Sequence, residues 1–255
     1  MSDQTGRPLL IAHRGASAEA PENTLAAFQG ALDIGVDFIE LDLHQTCDGE
    51  IVVIHDDRVD RTTDGRGLVS EMSLRDLRRL DAGGWFDRQN TSAPNRCFAG
   101  ERIPTLQEVI DLVRPTGTQL YLEIKSPHGP AVAIEEKLVE LLAQNQFGAR
   151  VVIESFDLTK LTGVTRCNPR LKTCALFEPT ASAPWQAAKA VGAHEIAPFW
   201  ALASSQLIAA SHENHLKVMV WTVDDATDML EMIRRGVDGI FTNIPTRLKQ
   251  ILDNL

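Results

Sequence analysis

The chain has 255 residues, 44% apolar and 24% charged, which is the composition of a folded protein and not of a disordered one. Twenty-five Lys and Arg stand against 35 Asp and Glu, a net charge of −10, which excludes a sequence-independent nucleic-acid binder or a protein docked on an anionic membrane as an expectation. No apolar run approaches the ~18 residues of a membrane-spanning helix.

Strand-like and helix-like stretches alternate along the chain. A strand over Leu9–Ala12 precedes a helix over Thr24–Ile34, and a strand over Phe38–Leu43 follows. The rhythm then breaks from about 57 to 102, a polar, Gly-rich stretch with a short helix near Ser73–Leu80. This reads as an insertion after the second strand, and long connections of that kind are usually functional or mobile. The alternation resumes with strands at Leu120–Ile124, Val151–Glu154, Lys172–Leu176, Glu195–Ala197, Lys217–Thr222 and Gly239–Thr242. Helical patterns at Ala131–Gln144, Leu158–Cys167, Trp185–Val191, Gln206–Asn214, Ala226–Arg235 and Thr246–Leu252 follow them in turn. Eight strand–helix repeats in a chain close to the ~250 residues typical of the fold predict one α/β domain over 1–255, a (β/α)8 TIM barrel. The start, MSDQTGRPLLIAHRG, lacks the apolar segment of a secretory signal. Cys47, Cys97, Cys167 and Cys174 form no CxxC pair and read as reduced thiols, so the expected setting is cytoplasmic.

In a parallel barrel, functional residues sit at the C-terminal ends of the strands. There the first strand runs into His13-Arg14-Gly15, the second carries Glu40 and Asp42, and the third carries Glu123 and Lys125. A two-residue strand period puts Glu40 and Asp42 on the inner face and Ile39, Leu41 and Leu43 on the outer one, against the helices. Three inward carboxylates repel one another unless a divalent cation or a set of basic partners offsets them. An all-oxygen donor set favours one hard cation, Mg²⁺ or Ca²⁺; the competing reading is a structural network with Arg14 and Lys125. Asp48-Gly49 signals a two-residue hairpin turn, which would pair Cys47 with Glu50 and Asp42 with His55, and so return His55 to the carboxylates. His44 shares the face of Asp42 but lies higher, toward solvent. Two imidazoles beside a bound anion suit acid and base roles near neutral pH. Arg14 and Lys125 suit a phosphoryl group, and Gly15 permits a close backbone approach after the first strand.

The stretch HRGASAEAPENTLAAFQGALDIGVDFIELDLHQTCDGEIVVIHDDRVDRTTDGRG closely resembles the glycerophosphodiester phosphodiesterase family. The likeness continues in GWFDRQNTSAPNRCFAGERIPTLQEV, LYLEIKSP and VMVWTVDDATDMLEMIRRGVDGIFTNIP, and so covers nearly the whole chain. It implies a TIM barrel with a small insertion after the second strand, and metal-dependent cleavage of glycerophosphodiesters to sn-glycerol 3-phosphate and an alcohol. Carried onto this chain, it implies Glu40, Asp42 and Glu123 as metal ligands and His13 and His55 as the acid/base pair. Arg14 and Lys125 become phosphate contacts, and Trp221 becomes a substrate-facing aromatic.

Other residues carry plainer expectations. Asn23 reads as a helix-start residue and Asn243 as a turn-shaping one, while Glu22 is open to a role near His13 or a metal-bound water. Trp85 and Phe86 either pin the insertion down or wall the cleft. A lysophospholipase D-like or phospholipase C-like enzyme would need an apolar trough, for which Trp85, Phe86 and Trp200 are the candidates. A non-catalytic phosphate-ligand binder would lack one of the two histidines or the acids, and none is missing.

Overall fold

The predicted strands close on themselves. The structure, a computed structural model, describes residues 6–89, 97–126 and 134–255. Its barrel strands are β1 (Leu9–His13), β2 (Phe38–Gln45), β4 (Gln119–Ile124), β5 (Val151–Ser155), β6 (Lys172–Phe177), β7 (Glu195–Pro198), β8 (Lys217–Val220) and β9 (Gly239–Thr242). Each pairs in parallel with its neighbours, and β1 pairs with both β2 and β9, which closes the ring. Helices α1 (Leu25–Ile34), α4 (Leu106–Val113), α5 (Ile134–Gln144), α6 (Leu158–Cys167), α7 (Pro184–Ala190), α8 (Ser205–Glu213), α9 (Ala226–Arg235) and α10 (Pro245–Leu252) follow the strands. This is the (β/α)8 barrel, and the first three residues of the predicted Ala131–Gln144 helix lie outside the described residues.

The two faces of each strand divide as the alternation requires. Ile39, Leu41, Leu43, Leu120, Leu122 and Ile124 point outward and are fully buried with Phe28, Val109 and Ile110 of the helices. Truncating one of them, Leu41→Ala for example, would cost about 2–5 kcal/mol. Ile11, Phe38, Tyr121, Val152, Cys174, Ala197, Met219 and Phe241 point inward and fill the barrel, with His13, Glu40, Asp42, Glu123 and Glu154 above them. No helix among the described residues is long and apolar enough to cross a membrane.

Local signals explain most helix ends. Thr24 caps α1 by accepting from the Ala27 N–H, and Gly35 ends it in the left-handed region. The cap is therefore Thr24 and not Asn23. Helix α4 was missed in the sequence although Thr105 and Glu108 form a reciprocal capping box, a T-x-x-E signature before an apolar run. The predicted helix near Ser73–Leu80 is a single turn, α2 (Leu74–Leu77), joined by α3 (Gly84–Gln89).

Between β2 and the insertion lies one further strand, β3 (Ile51–Val53), antiparallel to β2. Its register corrects the expected hairpin. Leu43 pairs with Val53 and Gln45 with Ile51, one residue away from the predicted pairing. The loop holds three residues, not two. Thr46 and Glu50 close it, and Gly49 takes φ +84°, the left-handed conformation of a bulged three-residue turn. Val52 of β3 joins Ile54, Val59, Val69, Leu77, Ala82 and Ile103 in a small core of their own. Trp85, Phe86 and Phe98 stack edge to face within the insertion, and the Trp85 indole N–H donates to the Ala82 carbonyl. These aromatics pin the insertion down.

Candidate active site

At the C-terminal ends of the strands, His13, Arg14, Glu40, His55, Glu123, Lys125, Glu154, Phe156, Leu176, Glu178, Trp221 and Phe241 line a cavity of about 200 Å³. Seven of the eight residues singled out in the sequence line it. The eighth, Asp42, is fully buried and contacts Arg14 and Lys125 of that lining.

One carboxylate oxygen from each of Glu40, Asp42 and Glu123 lies within 4.8 Å of the others. Adjacent strands set this spacing, because Glu40 and Asp42 lie two residues apart on β2 and Asp42 pairs in register with Glu123 of β4. Burial and the neighbouring Asp42 push the Glu40 carboxyl well above its usual range. Burial lifts Glu123 to about 7 despite Lys125 beside it. Burial acts on Asp42 in the same sense, but the Lys125 and Arg14 cations outweigh it and hold that carboxyl well below its usual range. Lys125 Nζ contacts Asp42 Oδ1 at 2.9 Å and Glu123 Oε2 at 2.8 Å. Three buried carboxylates with oxygen donors only are compatible with a hard divalent cation. Burial, with the like charges beside them, makes Glu40 and Glu123 hold their protons more tightly than usual.

The turn after β1 is built around backbone geometry. Arg14 sits at φ +59°, which aims its N–H at Glu40 Oε2, 2.8 Å away. A Cβ on Gly15 would come within 2.7 Å of the Ala27 carbonyl carbon, so the close approach foreseen at this glycine is to α1. Arg14 Nη1 donates to Glu22 at 2.9 Å, and its Nε lies 3.4 Å from Asp42. Asn23, at φ +57°, donates its side-chain N–H to Asp42 at 2.6 Å. Asn23 is therefore a second support of the acid cluster.

Each histidine has an orienting partner. Asn243 gives its amide N–H to Asp224, so its oxygen faces the Nδ1–H of His13 at 2.7 Å. Burial and the nearby Arg14 lower the His13 pKa to about 4, so the ring is neutral near pH 7, with Nε2 3.9 Å from Glu40. Asn243 thus does more than shape the last turn. His55 Nδ1 donates to Asp56 Oδ1 at 2.6 Å. Burial, Lys125 and Arg14 lower the His55 pKa, with Asp42 opposing them. His55 reaches the cavity despite the corrected register, because the ladder ends at Val53 and the chain turns after Ile54, whose N–H donates to the Asp42 carbonyl.

Arg61, at the start of the insertion, donates to both Glu22 and Asp56 at 2.8 Å. A charged chain therefore runs from His55 through Asp56, Arg61 and Glu22 to Arg14. Glu22 is held by two arginines, Arg14 and Arg61, and has no hydrogen bond to His13 among the described residues. Nothing in the local sequence distinguishes Arg61 from the other polar residues of its loop. His44 is buried and bonds the His55 carbonyl at 3.1 Å, where solvent had been expected. His128 lies outside the described residues.

The far wall is mostly apolar, with the exposed Glu178 just past β6 its charged member. Trp221 donates its indole N–H to the Ala197 carbonyl at 2.8 Å and packs edge to face on Phe156 and Phe199. Neither Trp85, Phe86 nor Trp200 lines this cavity, so the trough that a lipid substrate would need is not formed by them.

The family model for the glycerophosphoryl diester phosphodiesterase family matches residues 13–247. A glycerophosphodiester phosphodiesterase of Caldanaerobacter subterraneus subsp. tengcongensis is 42% identical over 242 residues, covering 95% of this chain and 96% of that one. One from Bacillus subtilis is 35% identical, over 94% and 84%. Among solved structures, an Oleispira antarctica phosphodiesterase in complex with the product sn-glycerol-3-phosphate superposes with a TM-score of 0.85 at 29% identity, over 97% of each chain. A glycerophosphodiester phosphodiesterase from Agrobacterium tumefaciens superposes with a TM-score of 0.81 at 30% identity, over 95% and 99%. With the family's characteristic residues gathered at one barrel mouth and the match spanning the barrel, this chain belongs to the glycerophosphoryl diester phosphodiesterase family.

Proposed function

We propose that residues 1–255 act as one phosphodiesterase domain that hydrolyses glycerophosphodiesters to sn-glycerol 3-phosphate and an alcohol. The observation that carries this reading is the convergence of two oriented histidines, two cations and three buried carboxylates on a single cavity. The product named in the Oleispira antarctica complex agrees with it.

Glu40, Asp42 and Glu123 would hold one divalent cation, Mg²⁺ or Ca²⁺, which when bound supplies positive charge to the phosphoryl oxygens and acidifies a nearby hydroxyl. Arg14 and Lys125 bind the phosphoryl group and offset the charge that builds on phosphorus. His13, neutral and with Nε2 free, takes the proton from the attacking hydroxyl. His55, entering the cycle protonated and backed by the Asp56 carboxylate, gives its proton to the leaving alcohol. The attacking group is the glycerol C2 hydroxyl, which closes a five-membered ring on the C2 and C3 oxygens of sn-glycerol 3-phosphate, the compound named glycerol 1,2-cyclic phosphate, and water then opens it. The two rings exchange roles when water opens the cyclic phosphate, His55 taking a proton from the water and His13 returning one to the C2 oxygen. An intramolecular hydroxyl held in line carries a large effective concentration. Trp221 faces the substrate's carbon chain. A cytoplasmic setting and a small-molecule substrate complete the reading, supported by free thiols at all four cysteines and by the net charge of −10.

The test is a coupled assay for sn-glycerol 3-phosphate with glycerophosphocholine, after chelation and with each cation restored. Release with Mg²⁺ or Ca²⁺ and a cyclic phosphate seen by phosphorus NMR are expected. No release with any divalent cation would overturn the function. Comparable cleavage of a 2-deoxy substrate would overturn only the cyclic route.

A further inference from the structure

Glu154 has no part in the steps above, yet it is one of the most buried charged residues of the chain, 1% exposed. It ends the inward face of β5, in register with Glu123 of β4 and Cys174 of β6. Its Oε2 is buried and has no hydrogen-bond partner among the described residues. A buried carboxyl oxygen with nothing to bond costs stability. The contrast with Glu195 is informative. Glu195 is similarly buried inside the barrel and accepts a 2.6 Å hydrogen bond from the Tyr121 hydroxyl. Glu195 is thus satisfied within the fold, whereas Glu154 is not, and Glu154 lines the cavity.

The cavity around Glu154 has one polar and one apolar side. His13 lies on the first, and Leu176, Trp221 and Phe241 form most of the second, where the one carboxylate, Glu178, is exposed to solvent. A short polyol has the matching shape: carbons for the apolar wall and a hydroxyl for the carboxyl. Glu154 is also absent from the carboxylate group whose oxygens converge closely enough to share an ion. We propose that Glu154 is a specificity-determining residue that binds the terminal C1 hydroxyl of the substrate's glycerol, so that the site selects an unacylated glycerol end. The inference rests on the phosphodiesterase reading above. The C1 hydroxyl is the polar group farthest from phosphorus, and its O–H can donate to a carboxyl oxygen. An acyl ester at C1 has no proton to donate, and its chain would compete for a cavity of only about 200 Å³. A site built around a substrate hydroxyl rejects the analogue lacking it far more strongly than an apolar pocket rejects a methylene.

The experiment compares glycerophosphocholine with its 1-deoxy analogue, which keeps the C2 hydroxyl. The wild type is expected to favour the natural substrate in kcat/KM by at least ~10²-fold. Glu154→Met, close in volume but without the carboxyl, is expected to bring the two substrates within ~10-fold of each other while binding Mg²⁺ as the wild type does. Equal loss on both substrates, or loss of Mg²⁺ binding, would show a structural or metal-supporting role and overturn the proposal. If Glu154→Met does not fold, the wild type alone decides by calorimetry with sn-glycerol 3-phosphate and propane-1,2-diol 1-phosphate. Tighter binding of the first by at least ~10²-fold is expected, and equal binding overturns the inference. Failure of the wild type to cleave any glycerophosphodiester would instead overturn the functional reading, and the two outcomes are distinct.

Discussion

Around the mouth of the barrel, β1, β2 and β4 lead into His13, Arg14, Glu40, Asp42, Glu123 and Lys125, while β6, β8 and β9 present Leu176, Trp221 and Phe241. The first side is a web of charges. Arg14 and Lys125 each contact Asp42, and Glu22, Arg61 and Asp56 extend the web to His55 and the insertion. The second side offers shape. Trp221 is fixed by its bond to Ala197 and by two aromatic neighbours, and Phe241 packs on Tyr121 below. The difference separates two tasks within one cavity: charge and proton handling on one side, recognition of carbon on the other. Mutations on the two sides should therefore differ in kind as well as in size.

The largest effect is expected from the acids. Glu40→Gln, Asp42→Asn and Glu123→Gln should each lower kcat/KM by at least ~10³-fold, since a bound cation contributes several kcal/mol to charge stabilisation. Calorimetric Mg²⁺ binding should weaken in parallel. Full activity in excess chelator would reduce the charged side to a salt-bridge network. His13→Ala and His55→Ala come next, each with a loss of at least ~10²-fold in kcat. Their melting temperatures should stay near that of the wild type, because both rings lie at the mouth. Near-normal turnover in either variant would remove that histidine from the acid/base pair.

Arg61→Ala sharpens the comparison, because it breaks the charged web without touching the cavity. Loss of such an orienting partner typically costs about 10–100-fold, and the loss should fall on kcat, since His55 and Arg14 are misaligned together. An effect on KM alone would show that the web does not orient them. On the apolar side, Trp221→Ala should raise KM by about 10-fold, in keeping with one lost apolar contact of ~1–3 kcal/mol, and leave kcat within a few-fold. A kcat loss comparable to that of the histidine variants would erase the division between the two sides.

The smallest effect concerns pH. Bonds from Arg61 and His55 outweigh burial and hold the Asp56 carboxyl at about 2, below its ordinary 3.8. A lowered folded-state pKa stabilises the protein above the unfolded value, and that contribution disappears as pH falls through the folded one. The stability difference between wild type and Asp56→Asn, measured by urea titration, should be constant above about pH 5 and shrink between about pH 4 and pH 2. A difference that persists at pH 2 would mean that the contribution is packing and not charge.

Much of this was legible in the chain. The two-residue period of Phe38–Leu43 sent Glu40 and Asp42 inward and Ile39, Leu41 and Leu43 outward, because a strand flanked by helices on one side and a barrel interior on the other admits no other division. The count of strand–helix repeats announced the barrel, and the order of the HRG, PENT, E-x-D and E-x-K elements announced the family, whose model spans 13–247. What the chain did not announce depends on backbone angles and on distant partners. The three-residue turn at Gly49 moved the hairpin register by one residue, and only the bend after Ile54 brought His55 back. Asn243 lies 230 residues from His13, and Arg61 lies 39 from Glu22, so neither bond has a local signature. Glu154 looks like one more strand residue until closure of the ring sets it at the cavity, its Oε2 without a hydrogen-bond partner among the described residues. Sequence periodicity determines which face a residue takes, since that depends on its immediate neighbours. Which side chains from different strands meet, and which stay unsatisfied, is decided only when the barrel closes.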